Sequence, residues 1–291
     1  MDYKIGAISF LNTVPLIEWF QTTSEGKKHS LFRVLPSELT ELLQKRMVHT
    51  GLLPVAEILR GYSGGILWGT GIACRGNAGS VKVFCTCPLQ DLKWIRADRG
   101  SRSSVALLKI ILSEMYGVEP FFEEMVPEPM MIPGQDEGLL IIGDRCFEFE
   151  QALAQCGRAD IHGWDLGNLW LELTGLPFVF AAWALAPDFI GEFGKQQALE
   201  LCDVLNKARS YGLDNLGFLA RREVSHGCLG VDGSSTFEAV DIYLRDFLKY
   251  DLGNEEFVSM HRFHGLGIKH GVFPDVPFPF LFQIAEMKNE F

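Results

Sequence analysis

The sequence predicts an α/β protein of two domains, with an interdomain cleft and a helical C-terminal return. Strand and helix patterns alternate through the first 87 residues, and the same alternation resumes after Pro88. After Pro187 the pattern is typical of helices to the end of the chain. With 291 residues, the chain is long for one domain and long enough to bury a core in each of two.

The first unit has the order of a sheet with crossover helices. The pair Pro36-Ser37 is a start signal for its second helix. Strands are predicted near 3–9, 31–35, 50–54, 65–74 and 80–87. Helices are predicted near 13–21, 37–46 and 54–61. Because helices alternate with strands, we expect a largely parallel sheet.

The second unit repeats this alternation and then gives way to helices. Several prolines between residues 120 and 133 favour a loop with a short strand there. Strands are predicted near 94–97, 138–142 and 176–185, and helices near 103–116, 147–156 and 165–174. The helical return is predicted at 195–210, 213–226, 235–249 and 253–270.

Two long apolar strands, at 80–87 and 177–185, mark the points where the chain is expected to pass between the units. Residues 1–86 and 184–291 are therefore predicted to form a discontinuous first domain, and residues 87–183 the second. This organisation resembles the periplasmic-binding-protein-like type II fold, in which the ligand lies in a cleft between the domains.

The amino-acid composition limits the classes of molecule that this protein is expected to bind. The net charge of −11 argues against nucleic acid and anionic membranes, whereas a small anion responds only to the local field of its pocket. The sequence has no run of eighteen apolar residues, the length that would predict a membrane span. The first residues lack the pattern of a signal peptide, so a cytoplasmic location is expected. The seven cysteines are irregularly spaced, which favours reduced thiols.

Asn12 is the one asparagine in the largely apolar run Gly6–Leu16. It lies where the first predicted strand ends and the first helix begins. Ligands of open α/β sheets bind at this edge, next to helix N-termini. Asn12 is therefore expected to cap the helix, to present its amide to a ligand, or to do both.

A second candidate site is the helix start at Ser101-Arg102-Ser103-Ser104. Serines are good N-caps, and the free N–H groups of a helix start attract a carboxylate or phosphate. Simple capping explains one serine, but Arg102 between serines favours an anion site.

Two loop positions complete the candidates. Gly143 follows an apolar strand and permits a close backbone approach to a ligand, and Asp144 next to it is expected to cap a helix or to face the pocket. Ser80 follows a glycine-rich turn, where a turn role and a binding role are both open.

The helical pair His261 and His264 has no evident third metal ligand, and no nucleotide-binding motif is present. Neither a metal nor a cofactor is expected.

Several blocks spread over the chain resemble one known family, the chorismate dehydratases of the futalosine route to menaquinone. They are IGAISFLNTVPL (5–16), SRSSVALL (101–108), LIIGDR (140–145), DLGNLWLELTGLPFVFAAW (165–183) and YLRDFLKYDLGNEEF (243–257). The resemblance implies that chorismate, a dicarboxylate, loses water to give 3-[(1-carboxyvinyl)oxy]benzoate. This elimination makes the ring aromatic and requires no metal or redox cofactor.

The resemblance also implies roles for the candidate residues. Asn12 falls at the family's active-site asparagine, and because an amide does not titrate near neutral pH, it orients the substrate. Ser80, Ser103 and Ser104 would bind the carboxylates. The proton acceptor is either Asp144 or a carboxylate of the bound substrate itself.

The chain departs from the family pattern at several positions. His49 stands where relatives commonly carry Asp, Arg75-Gly76-Asn77 replaces a polar Ser-Asp-Gly, and Asn168 replaces an acidic residue. Ser103 replaces a threonine and keeps the hydroxyl. These differences mark a divergent member. The alternatives are a non-catalytic cytosolic sensor of a small organic anion, and a related enzyme acting on another cyclic carboxylate.

Overall fold

The fold is described from a computed structural model, which describes residues 1–128, 131–226 and 237–282. Its strands are β1 (Lys4–Ile8), β2 (Ser30–Val34), β3 (Thr50–Pro54), β4 (Ile66–Cys74), β5 (Val81–Cys85), β6 (Trp94–Asp98), β7 (Phe121–Met125), β8 (Glu137–Ile142), β9 (His162–Asp165), β10 (Phe178–Leu185), β11 (Lys249–Asp251) and β12 (Leu281–Phe282). Its α-helices are α1 (Val14–Thr22), α2 (Pro36–Gln44), α3 (Val55–Leu59), α4 (Arg102–Ile111), α5 (Asp144–Gln155), α6 (Leu166–Thr174), α7 (Phe189–Phe193), α8 (Lys195–Asp214), α9 (Leu216–Ser225), α10 (Phe237–Ile242) and α11 (Asn254–Lys269).

The strands form two mixed sheets. The first has the order β11-β4-β10-β3-β1-β2, with β12 beside β4, and the second has the order β7-β6-β8-β5-β9. Parallel pairing joins β1 to β2 and β3, and β6 to β7 and β8. The prediction of a largely parallel sheet is wrong beyond β1–β3, because β10 returns from the second sheet and lies antiparallel between β3 and β4.

Sheet membership bears on where the domains divide. The predicted boundaries put β5 in the first domain and most of β10 in the second, whereas β5 lies in the second sheet and β10 in the first. Apart from Lys82 in β5, both strands are apolar, so their sequences do not reveal which sheet they join. We propose that the domains divide in the two connections that precede these strands, at residues 75–80 and 166–177.

Most predicted helices are confirmed, and two of them end in wider turns. The helix predicted at 103–116 is α4 followed by a π-helical turn at Leu112–Tyr116. The helix predicted at 235–249 is α10, a π-helical turn at Tyr243–Phe247 and then β11, and its first two residues lie outside the described residues. The short elements α7, β9, β11 and β12 were not predicted, because two to five residues give too little periodicity.

Apolar layers cover both faces of the first sheet. Trp68 of β4 packs into one layer and Trp183 of β10 into the other, and both are buried. This two-sided burial explains why these strands are continuously apolar. Among the described residues, no helix is long and apolar enough to cross a membrane.

One carboxylate fixes the two connections between the sheets. Asp165 ends β9, caps α6 and accepts the N–H groups of Gly167 at 2.9 Å and Asn168 at 3.2 Å. The same carboxylate accepts the N–H groups of Ala78 at 3.0 Å and Gly79 at 2.9 Å, in the loop between β4 and β5. The buried Asp165 thus ties the outgoing connection to the start of the returning one.

We expect Asp165→Asn to lower the free energy of unfolding by about 2–3 kcal/mol, because a charged acceptor is lost and an amide N–H then faces a backbone N–H. Urea unfolding followed by circular dichroism measures the change. Asp160→Asn is the matched control, since Asp160 is exposed and pairs with Arg158 outside this connection. Equal stability of the Asp165→Asn protein and the wild type would contradict the structural role of this carboxylate.

Candidate active site in the interdomain cleft

The cleft lies between the two sheets, at the carboxyl ends of β1, β3, β6 and β8. It encloses about 690 Å³, part of it open to solvent. Its walls are largely apolar, with Phe10 and Phe180 among the larger side chains. The predicted residues that line it are Asn12, Ser80, Arg102, Ser103, Ser104 and Gly143. The structure therefore brings six of the seven predicted site residues together around one space.

Asn12 faces the cleft and does not cap a helix. It lies in a 3-10 turn, Leu11–Thr13, between β1 and α1, and the N-cap position of α1 is Thr13, which makes no side-chain cap bond. The Thr13 hydroxyl donates to Asn12 Oδ1 at 3.3 Å. Of the two roles that the sequence left open, presentation of the amide is the one compatible with this geometry.

The start of α4 forms the charged side of the cleft. Among the described residues that line the cleft, Arg102 is the one with a formal charge, which is positive. Its guanidinium lies 3.7 Å from the Glu124 carboxylate, and its side chain is 43% exposed. The Ser103 hydroxyl accepts the N–H of Ala56 at 3.2 Å and donates to the Phe180 carbonyl at 3.1 Å. The Ser103 hydrogen is therefore already used in a hydrogen bond. The donors that α4 still has for an anion are the hydroxyl of the buried Ser104, the Arg102 guanidinium and the helix N–H groups.

Gly143 and Asp144 open α5 beside the N-terminal turn. Gly143 has φ of 67°, which favours glycine, and donates its N–H to the Ser80 carbonyl at 2.8 Å. Asp144 is absent from the described residues that line the cleft, and its carboxylate accepts the N–H of Leu11. The other carboxylate oxygen, Oδ1, is buried without a partner among the described residues.

Burial raises the pKa of Asp144 to about 6 from its ordinary value of 3.8. The negative charges of Glu148 and Glu223 raise it further, and the Leu11 N–H opposes them. A pKa near 6 suits a general base, but the position of the carboxyl group behind the cleft wall does not.

Tyr243, which the sequence patterns do not single out, lies directly behind two of the predicted residues. Its hydroxyl is 2.8 Å from Ser80 Oγ, and its phenol is also hydrogen-bonded by the Asn12 side chain. Tyr243 is only 1% exposed and its ring packs edge-on against Phe147 of α5. A tyrosine on the apolar face of a helix is typical of core packing, so the sequence held no signal for these two partners.

Three departures from the family pattern lie away from the cleft, whereas Ser103, which replaces a threonine, lines it. His49, at the opposite end of β3, accepts the Lys4 N–H at 3.1 Å and packs against Phe189 and Phe193. The exposed Arg75 pairs with Glu255 at 2.9 Å, and Asn168 lies in the first turn of α6. The substitutions at His49, Arg75 and Asn168 therefore do not alter the lining of the cleft, and Ser103 keeps the hydroxyl there.

The histidine pair of α11 has apolar surroundings. His261 stacks on Phe278 with ring centroids 3.7 Å apart, and burial lowers the pKa of both His261 and His264. In the part of the chain that the structure describes, no group of three His, Cys, Asp or Glu side chains could hold a metal ion.

The raised pKa of Asp144 predicts a change of stability with pH. The folded protein holds this proton up to about pH 6, so its stabilising contribution is full below pH 3.8 and is lost as the pH rises through about 6. We expect Asp144→Asn, which is neutral at every pH, to gain in melting temperature relative to the wild type between pH 4 and about 7. Melting curves across this range measure the difference.

The matched control for the melting curves is Asp203→Asn, because Asp203 is exposed on α8. It should follow the pH dependence of the wild type. Parallel curves for the wild type and Asp144→Asn would contradict the raised pKa.

Comparison with solved structures shows the fold. The alkanesulfonate-binding protein of Xanthomonas axonopodis pv. citri, bound to MOPS, is similar over 97% of this chain and 98% of its own, with a TM-score of 0.60 and 14% identity. The periplasmic aliphatic sulphonate binding protein of Escherichia coli matches 95% of this chain and 90% of its own, with a TM-score of 0.58 and 14% identity. The predicted periplasmic-binding-protein-like architecture is confirmed.

Comparison of sequences is more specific. A chorismate dehydratase of Thermus thermophilus is 30% identical over 237 residues, which cover 76% of this chain and 81% of the relative. The family model described as menaquinone biosynthesis matches residues 3–268. Because this match spans nearly the whole chain, including every residue of the cleft named above, the chain belongs to the menaquinone biosynthesis family.

Proposed function

We propose that this protein is a hydro-lyase that removes water from chorismate to give 3-[(1-carboxyvinyl)oxy]benzoate. The observation that supports this most directly is the cleft itself, in which apolar walls surround a few polar groups and one cation. Chorismate has a six-membered ring and two carboxylates, so it needs both kinds of surface. The similarity to the Thermus thermophilus enzyme supports the same substrate.

The cleft residues suit the binding of a dicarboxylate. Arg102 and the start of α4 attract one carboxylate, and the Ser104 hydroxyl donates to it. Ser80 and Asn12, which also line the cleft, would hold the second carboxylate or the departing hydroxyl group. Phe10 and Phe180 would exclude water from the faces of the ring.

The reaction needs a proton acceptor and a leaving hydroxide. The C–H bond at the ether-bearing carbon breaks, its electron pair forms the new ring double bond, and the neighbouring hydroxyl leaves and is protonated to water. We propose that a carboxylate of the substrate takes the proton, because Asp144 lies behind the wall and bonds to the Leu11 N–H. Asn12 then orients the substrate so that this carboxylate reaches the C–H bond.

The runner-up function is a non-catalytic sensor of a small organic anion on the same fold. The likeness to sulphonate-binding proteins supports the fold that such a sensor would use. Purified protein incubated with chorismate separates the two, because the aromatic product has its own ultraviolet spectrum. Binding without product would favour the sensor. A cytoplasmic location stays a prediction.

Replacing Asn12 by Ala should lower kcat/KM for chorismate by about 100-fold or more, because the amide that orients the substrate is lost. Steady-state kinetics on the purified variant measure this, and its circular dichroism spectrum should match the wild type. Asn206→Ala, on α8 and outside the cleft, should keep the wild-type rate. Wild-type activity of the Asn12→Ala protein would remove Asn12 from the site.

Replacing Asp144 by Asn tests the proton acceptor. If the substrate carboxylate is the base, kcat should stay within about threefold of the wild type, because a general base contributes on the order of 100-fold or more. Single-turnover measurements at pH 7.5 report this directly. A loss of about 100-fold or more would assign the proton to Asp144 instead.

A further inference from the structure

We infer that Tyr243 is a positioning residue of this cleft, whose phenol links Asn12 to Ser80 and turns the Ser80 hydroxyl hydrogen toward the bound ligand. The inference deepens the proposed function and rests on it for the identity of the ligand. It starts from the position of the phenol: the residue belongs to the helical return, yet it contacts side chains from the N-terminal turn and from the connection between the sheets.

Tyr243 acts behind the cleft wall and not within the cleft. Its side chain is 1% exposed, and it is absent from the described residues that line the cleft. Both of its hydrogen-bond partners, Asn12 and Ser80, do line the cleft. Any influence of the phenol on a ligand must therefore pass through these two side chains.

The hydrogen bonds have one consistent direction. Thr13 donates to Asn12 Oδ1 at 3.3 Å, which leaves the Asn12 NH2 group for the phenol oxygen. Burial raises the pKa of the Tyr243 phenol, so the phenol keeps its hydrogen near neutral pH. The Ser80 Oγ–phenol distance of 2.8 Å permits either oxygen to donate, and we infer that the phenol, which accepts from Asn12, donates its hydrogen to Ser80 Oγ.

This direction determines what Ser80 offers to a ligand. Ser80 Oγ accepts the phenol hydrogen, so its own hydrogen points away from Tyr243, into the cleft. A hydroxyl held in this way is a donor, and it suits a carboxylate or a departing hydroxide. Without the phenol, the Ser80 hydroxyl rotates freely and the Asn12 amide loses the bond that holds it.

The ring of Tyr243 is expected to keep its place when the hydroxyl is removed. It packs edge-on against Phe147, with ring centroids 5.0 Å apart, and Phe in its place retains this contact. Tyr250 provides a matched control, because it is also buried and its hydroxyl has no partner among the described residues. Tyr243→Phe and Tyr250→Phe thus delete the same atom from the same kind of surroundings.

The test compares these two variants in full-length protein with chorismate as the probe. Tyr243→Phe should lower kcat/KM by about tenfold, because the bonds that hold Asn12 and Ser80 in position are lost, whereas Tyr250→Phe should keep the wild-type value. In a Ser80→Ala background the effect of Tyr243→Phe should shrink to about threefold or less, because part of its path to the ligand is gone. The same tenfold loss in both backgrounds would overturn the inference.

Crystal structures of the wild type and Tyr243→Phe give a readout that does not depend on turnover. The inference expects the Asn12 or Ser80 side chain to rotate in Tyr243→Phe, and two unchanged side chains would overturn it. A wild-type protein that does not convert chorismate would overturn the proposed function alone, and the two crystal structures would still decide the role of Tyr243.

Discussion

The Asp165 carboxylate is the constraint on which the rest of the cleft depends. The chain passes between the two sheets twice, and this group bonds to both connections. Burying a carboxylate is costly unless its oxygens are paired, and here four backbone N–H groups pair them. Burial still raises the pKa of Asp165, with the N–H groups opposing it. Because Ala78 and Gly79 are held, Ser80 follows them at a fixed place beside the ligand space.

Hydrogen bonds across the cleft add to this constraint. Ser103 joins α4 to the Ala56 N–H and the Phe180 carbonyl, and the Leu11 N–H bonds to Asp144. These bonds connect elements of the second sheet to elements of the first. They hold the polar groups of the cleft in position before a ligand arrives, which reduces the entropy that binding must overcome.

Much of the site could be predicted from the sequence, because its residues follow strands. Asn12 lies in the turn that follows β1 and Gly143 comes directly after β8, and ligands bind at that edge of a sheet. Ser103, at the helix start after β6, could be predicted for the same reason. The bonds of its hydroxyl to the Ala56 N–H and the Phe180 carbonyl could not, because these residues are far away in the chain.

The parts that could not be predicted depend on long-range contacts. Whether β5 and β10 join the first or the second sheet is decided by partners distant in sequence, and both strands are apolar except for Lys82 of β5. The hydrogen bond of the Tyr243 hydroxyl is also a long-range contact, because its partner Ser80 lies 163 positions away in the chain. Local patterns report on helices, strands and their ends, and they do not report which distant side chain completes a buried hydrogen bond.

A fold shared with binding proteins is sufficient for the proposed elimination. Because loss of water makes the ring aromatic, the product supplies the driving force, and the protein has only to hold the substrate in a reactive geometry and stabilise the departing hydroxide. A binding cleft already provides the first of these. The second calls for a donor of fixed direction, and in the role inferred for Tyr243 the bonds from Thr13 through Asn12 and Tyr243 to Ser80 would supply one. The step from binding to catalysis in this fold therefore rests on polar groups behind the cleft wall as much as on those that line it.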